Sequence, residues 1–164
     1  MATTHDDQCV FCLIIQGTIP SFKLFETEHS LAFLDINPIS EGHTQVIPKC
    51  KYTHLDSETF RPGLKLISTG LDHAKTLGDL PDEYLRDIGP VLKKVALSTG
   101  IEAYNIVQNN GEIAFQHVGH VHFHVLPKPS EEEGLILTIG QNWPQKNVGK
   151  EELAATLAKM KERL

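Results

Sequence analysis

Between Lys23 and Asp35 the apolar positions fall into two short runs, Leu24-Phe25 and Leu31, Phe33 and Leu34, separated by the polar Glu28-His29-Ser30. That pattern predicts a β-hairpin whose second strand ends at Asp35. Asn37-Pro38 and Glu41-Gly42 mark the next turns, and Thr44 to Pro48 reads as a third short strand stopped by proline. From about Pro81 to Ser98 the period lengthens to that of a helix, with Leu85, Ile88, Leu92, Val95 and Ala96 on one buried stripe. Asp79 is placed to cap this helix, Pro81 suits its first turn, Asp82 and Glu83 suit the positive end of its dipole, and Gly100 follows its last turn. Pro90 is expected to kink it, because proline removes a backbone donor.

Tyr104 to Gln108 predicts a fourth strand and His120 to Leu126 a fifth, joined by the polar Asn109-Asn110-Gly111-Glu112. The tail from Lys150 carries Leu153, Leu157, Met160 and Leu164 on one helical face, a stripe that packs within its own chain in most proteins. Cys50 to Leu71 has weak periodicity and is broken by Pro62, Gly63 and Gly70, so it reads as a surface excursion. Strands on both sides of one main helix give an α+β class with an antiparallel sheet of about five strands and a C-terminal helix.

At 164 residues, without repeats or low-complexity linkers, the chain is expected to form a single domain over 1–164. The 15 Lys and Arg against 21 Asp and Glu leave a net charge of −6, and no basic cluster is present, which argues against nucleic acid or an anionic membrane as partner. No apolar run approaches the ~18 residues needed to span a bilayer. The start Met1-Ala2-Thr3-Thr4-His5-Asp6-Asp7 lacks the basic and apolar parts of a signal peptide, so a soluble cytoplasmic protein is expected, with the nucleus as a second compartment. The cysteines number 3, which suits reduced thiols or thiolate ligands better than a disulfide scaffold.

The 9 histidines change the picture, because three of them crowd into His120-Val121-His122-Phe123-His124-Val125-Leu126. Strict alternation on a strand sends His120, His122 and His124 to one face, roughly 6.5 to 7 Å apart, and Val121, Phe123 and Val125 to the other. Such a row can bind a metal, hold phosphate oxygens or supply a nucleophile, since imidazole titrates near pH ~6.5 and keeps a free nitrogen at neutrality. The plain alternative is a solvent-facing strand that uses histidine as its polar residue.

This segment resembles the His-x-His-x-His signature of the histidine triad superfamily. The resemblance extends to Cys9-Val10-Phe11-Cys12 with Ile14-Ile15, Gly17 and Ile19-Pro20, to Leu31-Ala32-Phe33-Leu34-Asp35-Ile36, to Glu41-Gly42-His43-Thr44 with Val46-Ile47-Pro48-Lys49, and to Gln108-Asn109-Asn110-Gly111. These blocks cover about Cys9 to Lys49 and Asp72 to Pro129, and are most similar to the Hint branch, fungal-type members especially.

The resemblance implies the fold of that family and the hydrolysis of a purine nucleoside monophosphate derivative, typically an adenosine phosphoramidate. His122 would attack the α-phosphorus, a nucleotidyl-histidine would form, and water would release AMP; His124 would hold the phosphoryl oxygens and His120 completes the triad. By position, Asp35 and Ile36 match ribose contacts, and Val10, Phe11 and Ile14 match the wall of the base pocket, where apolar residues serve a core equally well. Asn109, Gln116, His117 and Val118 match positions beside the phosphate; His117 stands where several members have a serine that donates to the leaving group.

The resemblance also bears on metal. Cys9-x-x-Cys12 offers two thiolates at a spacing suited to zinc. In some members a histidine after the Pro-Lys strand end and the first triad histidine, here His120, complete such a site. Pro48-Lys49 is followed instead by Cys50-Lys51-Tyr52, and the expected motif resumes at Asp72-His73-Ala74, as though residues 50–71 were inserted. His73 is therefore the expected third ligand, with His54 and Cys50 as rivals. Zinc in a set of Cys9, Cys12, His73 and His120 would be structural, and the chemistry would need no cofactor.

Two other functions remain in view: dinucleoside polyphosphate hydrolysis, and a nucleotide-binding partner protein with incidental hydrolysis that docks through Trp143-Pro144 and the C-terminal helix. The family's members are usually symmetric dimers, which makes a homodimer the implied assembly.

Overall fold

In the computed structural model, which describes residues 8–49 and 74–164, the two-residue period of Leu31, Ala32 and Phe33 has a direct consequence. Leu31 and Phe33 enter one apolar cluster and Ala32 enters another, so the strand that carries them, β2 (Ser30–Leu34), is covered on both faces. The same division holds on β3 (Thr44–Pro48), where Val46 and Ile47 face opposite clusters. With β1 (Lys23–Glu26), β4 (Tyr104–Gln108) and β5 (Phe123–Pro127), these strands form one antiparallel sheet in the order β1-β2-β3-β5-β4. The class is α+β, as the strand and helix periods predict.

One face is covered by α2 (Asp82–Ser98), whose Ile88, Val91, Val95 and Ala96 pack with Ala32, Val46, Val121, Phe123 and Val125. The other is covered by the short α1 (Val10–Gln16), whose Phe11 and Ile14 pack with Leu31, Phe33 and Ile47. Gly17 ends α1 in the left-handed conformation, φ 81°, which glycine adopts without steric cost. Burying apolar side chains at about 25 cal/mol per Å² makes these two layers the main source of stability, and the sheet between them is a rigid support for β5.

Several expectations are corrected. Asp79 does not cap α2: its carboxylate takes the Thr76 N–H and hydroxyl and closes a separate turn over Leu77–Asp79, so that Pro81 stands at the head of α2 instead. The buried stripe of α2 uses Val91, whereas Leu85 is partly exposed. Pro90 lies inside α2 as expected, on its exposed face. The fifth strand begins at Phe123, later than His120, because Val121 N–H bonds to Ala74 O and pairing with β3 starts only at Phe123 opposite Val46. The tail forms α3 (Lys150–Lys161), but Leu153, Leu157, Met160 and Leu164 are all exposed rather than packed within the chain. Among the described residues no helix is long and apolar enough to cross a membrane.

Candidate active site

Alternation along the chain into β5 turns Val121, Phe123 and Val125 into the core beneath α2 and leaves His122 and His124 on the opposite side, their rings 5.0 Å apart. His122 is 5% exposed, and its Nδ1 lies 2.7 Å from the backbone oxygen of His120. A carbonyl only accepts, so the ring proton sits on Nδ1 and Nε2 keeps its lone pair. Burial pushes the His122 pKa below its ordinary value, and the carbonyl bond offsets this only in part. The ring is therefore neutral near pH 7, which is the form a nucleophile needs. Phe11 sets its ring edge-on against His122, 5.2 Å between centroids, and fixes the plane of the imidazole.

His124 Nδ1 meets His43 Nε2 at 2.9 Å. His43 Nδ1 accepts the Ile39 N–H at 3.3 Å, so its own proton is on Nε2 and is donated to His124. That leaves the His124 proton on Nε2, as a donor to any phosphoryl oxygen held beside His122. Burial, reinforced by the neighbouring His122 and His43, pushes the His124 pKa down to about 4. Burial likewise lowers His43, against the opposing pull of Asp35. Asp35 Oδ2 is 3.5 Å from His43 Nε2 and accepts Gln45 Nε2 at 2.6 Å, while its Oδ1 accepts the Asn37 N–H at 2.8 Å. Burial opposes ionisation of Asp35, but these donors and the two histidines outweigh it and hold the carboxyl below its usual range.

His120 is fully buried and turned differently. Its Nε2 donates to Pro48 O at 3.0 Å, so the lone pair on Nδ1 faces Cys9 Sγ at 3.6 Å and Cys12 Sγ at 3.7 Å. The three donor atoms lie within 4.8 Å of one another. A hydrogen bond from Cys12, opposed by burial, lowers the Cys9 pKa to about 4. Two soft sulfurs and one imidazole nitrogen suit zinc. His73, Cys50 and His54, the expected further ligand and its rivals, lie outside the described residues, as does the 50–71 insertion.

The remaining expected residues divide by environment. Phe11 and Ile14 are buried in the cluster beneath α1, and Val118 packs against it, whereas Val10 is 38% and Ile36 79% exposed. Gln116 is buried with its amide fully engaged: Oε1 accepts Gly111 N–H at 2.7 Å and Nε2 donates to Lys75 O and Val118 O at 2.7 and 2.9 Å. Asn109 donates to Ala114 O, which ties the same loop. His117 is exposed, stacks edge-on against Phe115 at 4.5 Å, and acts electrostatically on His122.

The sequence reading assigned no role to His43 or Gln45. The signal was present: His43 and Gln45 stand two apart at the entry to β3 and so share a face, and Gln45 lies opposite His124 in the β3–β5 register.

Comparison with known proteins points to one family. The model of the family described as HIT domain matches residues 16–131. A Schizosaccharomyces pombe protein named adenosine 5'-monophosphoramidase hnt1 is 46% identical over 147 residues, covering 90% of this chain and 91% of its own. One of Saccharomyces cerevisiae, named adenosine 5'-monophosphoramidase HNT1, is 44% identical over 141 residues, 86% of this chain and 73% of its own. Among solved structures, a histidine triad nucleotide-binding protein from Candida albicans is similar with a TM-score of 0.75 and 39% identity, covering 95% of this chain and 96% of that one.

Proposed function

The chain belongs to the HIT domain family and is a hydrolase of nucleotide derivatives, and we propose that its substrate is an adenosine 5'-monophosphoramidate, cleaved at the phosphorus–nitrogen bond through a nucleotidyl group on His122. The observation that carries this reading is the His122 Nδ1–H bond to His120 O, which leaves a neutral, buried imidazole with its Nε2 lone pair free.

His122 Nε2 attacks the α-phosphorus, an N–P bond to the enzyme forms, and the substrate's P–N bond breaks in line with it. The amine departs with a proton, for which His117 is the candidate donor. His124 Nε2–H bonds to the phosphoryl oxygens where negative charge gathers. Water then cleaves the His122–phosphorus bond, releasing AMP and restoring the ring. In this reading Asp35 and Ile36 meet the ribose, Val10 and Phe11 with Ile14 behind them form the base wall, and Asn109, Gln116 and Val118 shape the phosphate loop.

Zinc fits Cys9, Cys12 and His120, and a histidine as fourth ligand would close the tetrahedron and make the site structural. What supports His73 is that Ala74, the next residue, accepts Val121 N–H at 2.9 Å. A homodimer is supported by two uncovered surfaces: the sheet edge at β4, with Tyr104 and Ile106 exposed, and the apolar stripe of α3. Incubation with adenosine phosphoramidate tests the reading: the wild type releases AMP and His122→Ala does not. Equal AMP release by both would reject it, and faster turnover of a dinucleoside polyphosphate would move the substrate to that class.

A further inference from the structure

We propose that Gln45 is a positioning residue that steers the His43 proton toward His124 and away from Asp35, and so sets the tautomer of the histidine that faces the phosphoryl group. This deepens the hydrolase reading above and rests on it for its kinetic part.

His43 Nε2 has one proton and two acceptors within reach: His124 Nδ1 at 2.9 Å and Asp35 Oδ2 at 3.5 Å. An ionised carboxylate is the stronger acceptor, so an unengaged Asp35 would take the proton and leave His124 Nδ1 without a donor. His124 would then be free to carry its own proton on either nitrogen, and the tautomer with Nδ1–H turns a bare lone pair toward the phosphoryl oxygens. Gln45 opposes this by donating from Nε2 to Asp35 Oδ2 at 2.6 Å, which draws off charge from the oxygen nearest His43 and leaves His124 Nδ1, at 2.9 Å, the better-placed acceptor, while Asn37 N–H bonds to Oδ1. The groups that face His43 are Asp35 from the loop after β2, His124 from β5 with His122 beyond it, and the Ile39 N–H from its own loop.

A second observation separates this role from simple packing. Gln45 Oε1 is buried and has no hydrogen-bond partner among the described residues. A buried carbonyl without a donor costs stability, and methionine would fill the same volume without that cost. The amide cannot turn over to relieve it, because its oxygen would then meet the Asp35 carboxylate. The fold thus gains less from glutamine here than from an apolar residue of the same length, and what glutamine adds is the donor to Asp35.

The test is Gln45→Met. The ¹⁵N shifts of His124 in the unliganded protein report its tautomer. The wild type should show Nε2–H alone; Gln45→Met should show a mixture, and Gln45→Met with Asp35→Asn should recover Nε2–H, because no carboxylate is left to compete. With adenosine phosphoramidate, Gln45→Met should lose about tenfold or more in kcat with KM changed less than about twofold. Its acid limb should move to higher pH, because the freed Asp35 oxygen stabilises protonated His43, and its melting temperature should equal or exceed the wild type's. An unchanged His124 tautomer would overturn the proposal, as would a loss of kcat that follows a loss of folded protein. If the wild type hydrolyses no phosphoramidate, the hydrolase reading falls while the ¹⁵N result still decides the role of Gln45.

Discussion

His120 and His122, two residues apart, hold opposite tautomers: His122 donates from Nδ1 to the backbone oxygen of His120, and His120 donates from Nε2 to Pro48 O. One ring thereby keeps its Nε2 unprotonated, and the other turns Nδ1 toward two sulfurs. The backbone at His120 links the two rings, since the residue that faces Cys9 and Cys12 also carries the carbonyl that orients His122.

His43→Asn removes the donor to His124 Nδ1. Loss of an oriented proton donor costs about 10²-fold in rate, so kcat should fall by that order while KM for adenosine phosphoramidate stays close to the wild type's. Steady-state kinetics on the folded variant check this.

Acid should weaken the fold through His124. Its native pKa is about 4 against an ordinary 6.5, so between those values the unfolded chain holds the proton and the native chain does not. Stability therefore falls as pH drops through that window. His124→Gln should flatten the slope of melting temperature against pH between about 6.5 and 4. Cys9, also held near 4, adds a loss of the same sign that both proteins share.

Zinc analysis of the purified protein should return one equivalent per chain, and Cys9→Ser should remove it and lower the melting temperature, because binding energy at such a site is also folding energy. A wild-type protein without zinc would reject the site.

Gln116→Ala removes the acceptor of the Gly111 N–H and the donor to the Lys75 and Val118 carbonyls, three part-buried hydrogen bonds at once. Denaturant unfolding should register a loss of about 2 kcal/mol. The accompanying rise in KM should reflect a loosened 109–118 loop.

β2 and α2 were legible because their periods follow burial: two on β2, where alternate residues enter opposite layers, and 3.6 on α2. The error at Asp79 arose from competition, since Thr76 offers its carboxylate a closer turn than the head of α2 does. The α3 stripe looked like packing because periodicity reports an apolar face and says nothing of what covers it. In the site, the triad and the Cys-x-x-Cys pair announced themselves by spacing. His43 and Gln45 did not, because their roles arise from β3 lying beside β5, a neighbour about 80 residues away that only the register brings into contact.

The central claim is a covalent bond between His122 and a nucleotide phosphorus. Mass spectrometry of protein acid-quenched during turnover of adenosine phosphoramidate, followed by peptide mapping, measures it directly. An adenylyl adduct on the peptide containing His122, absent from His122→Ala, is the predicted result. Turnover without any adduct, or an adduct placed on another residue, would contradict it.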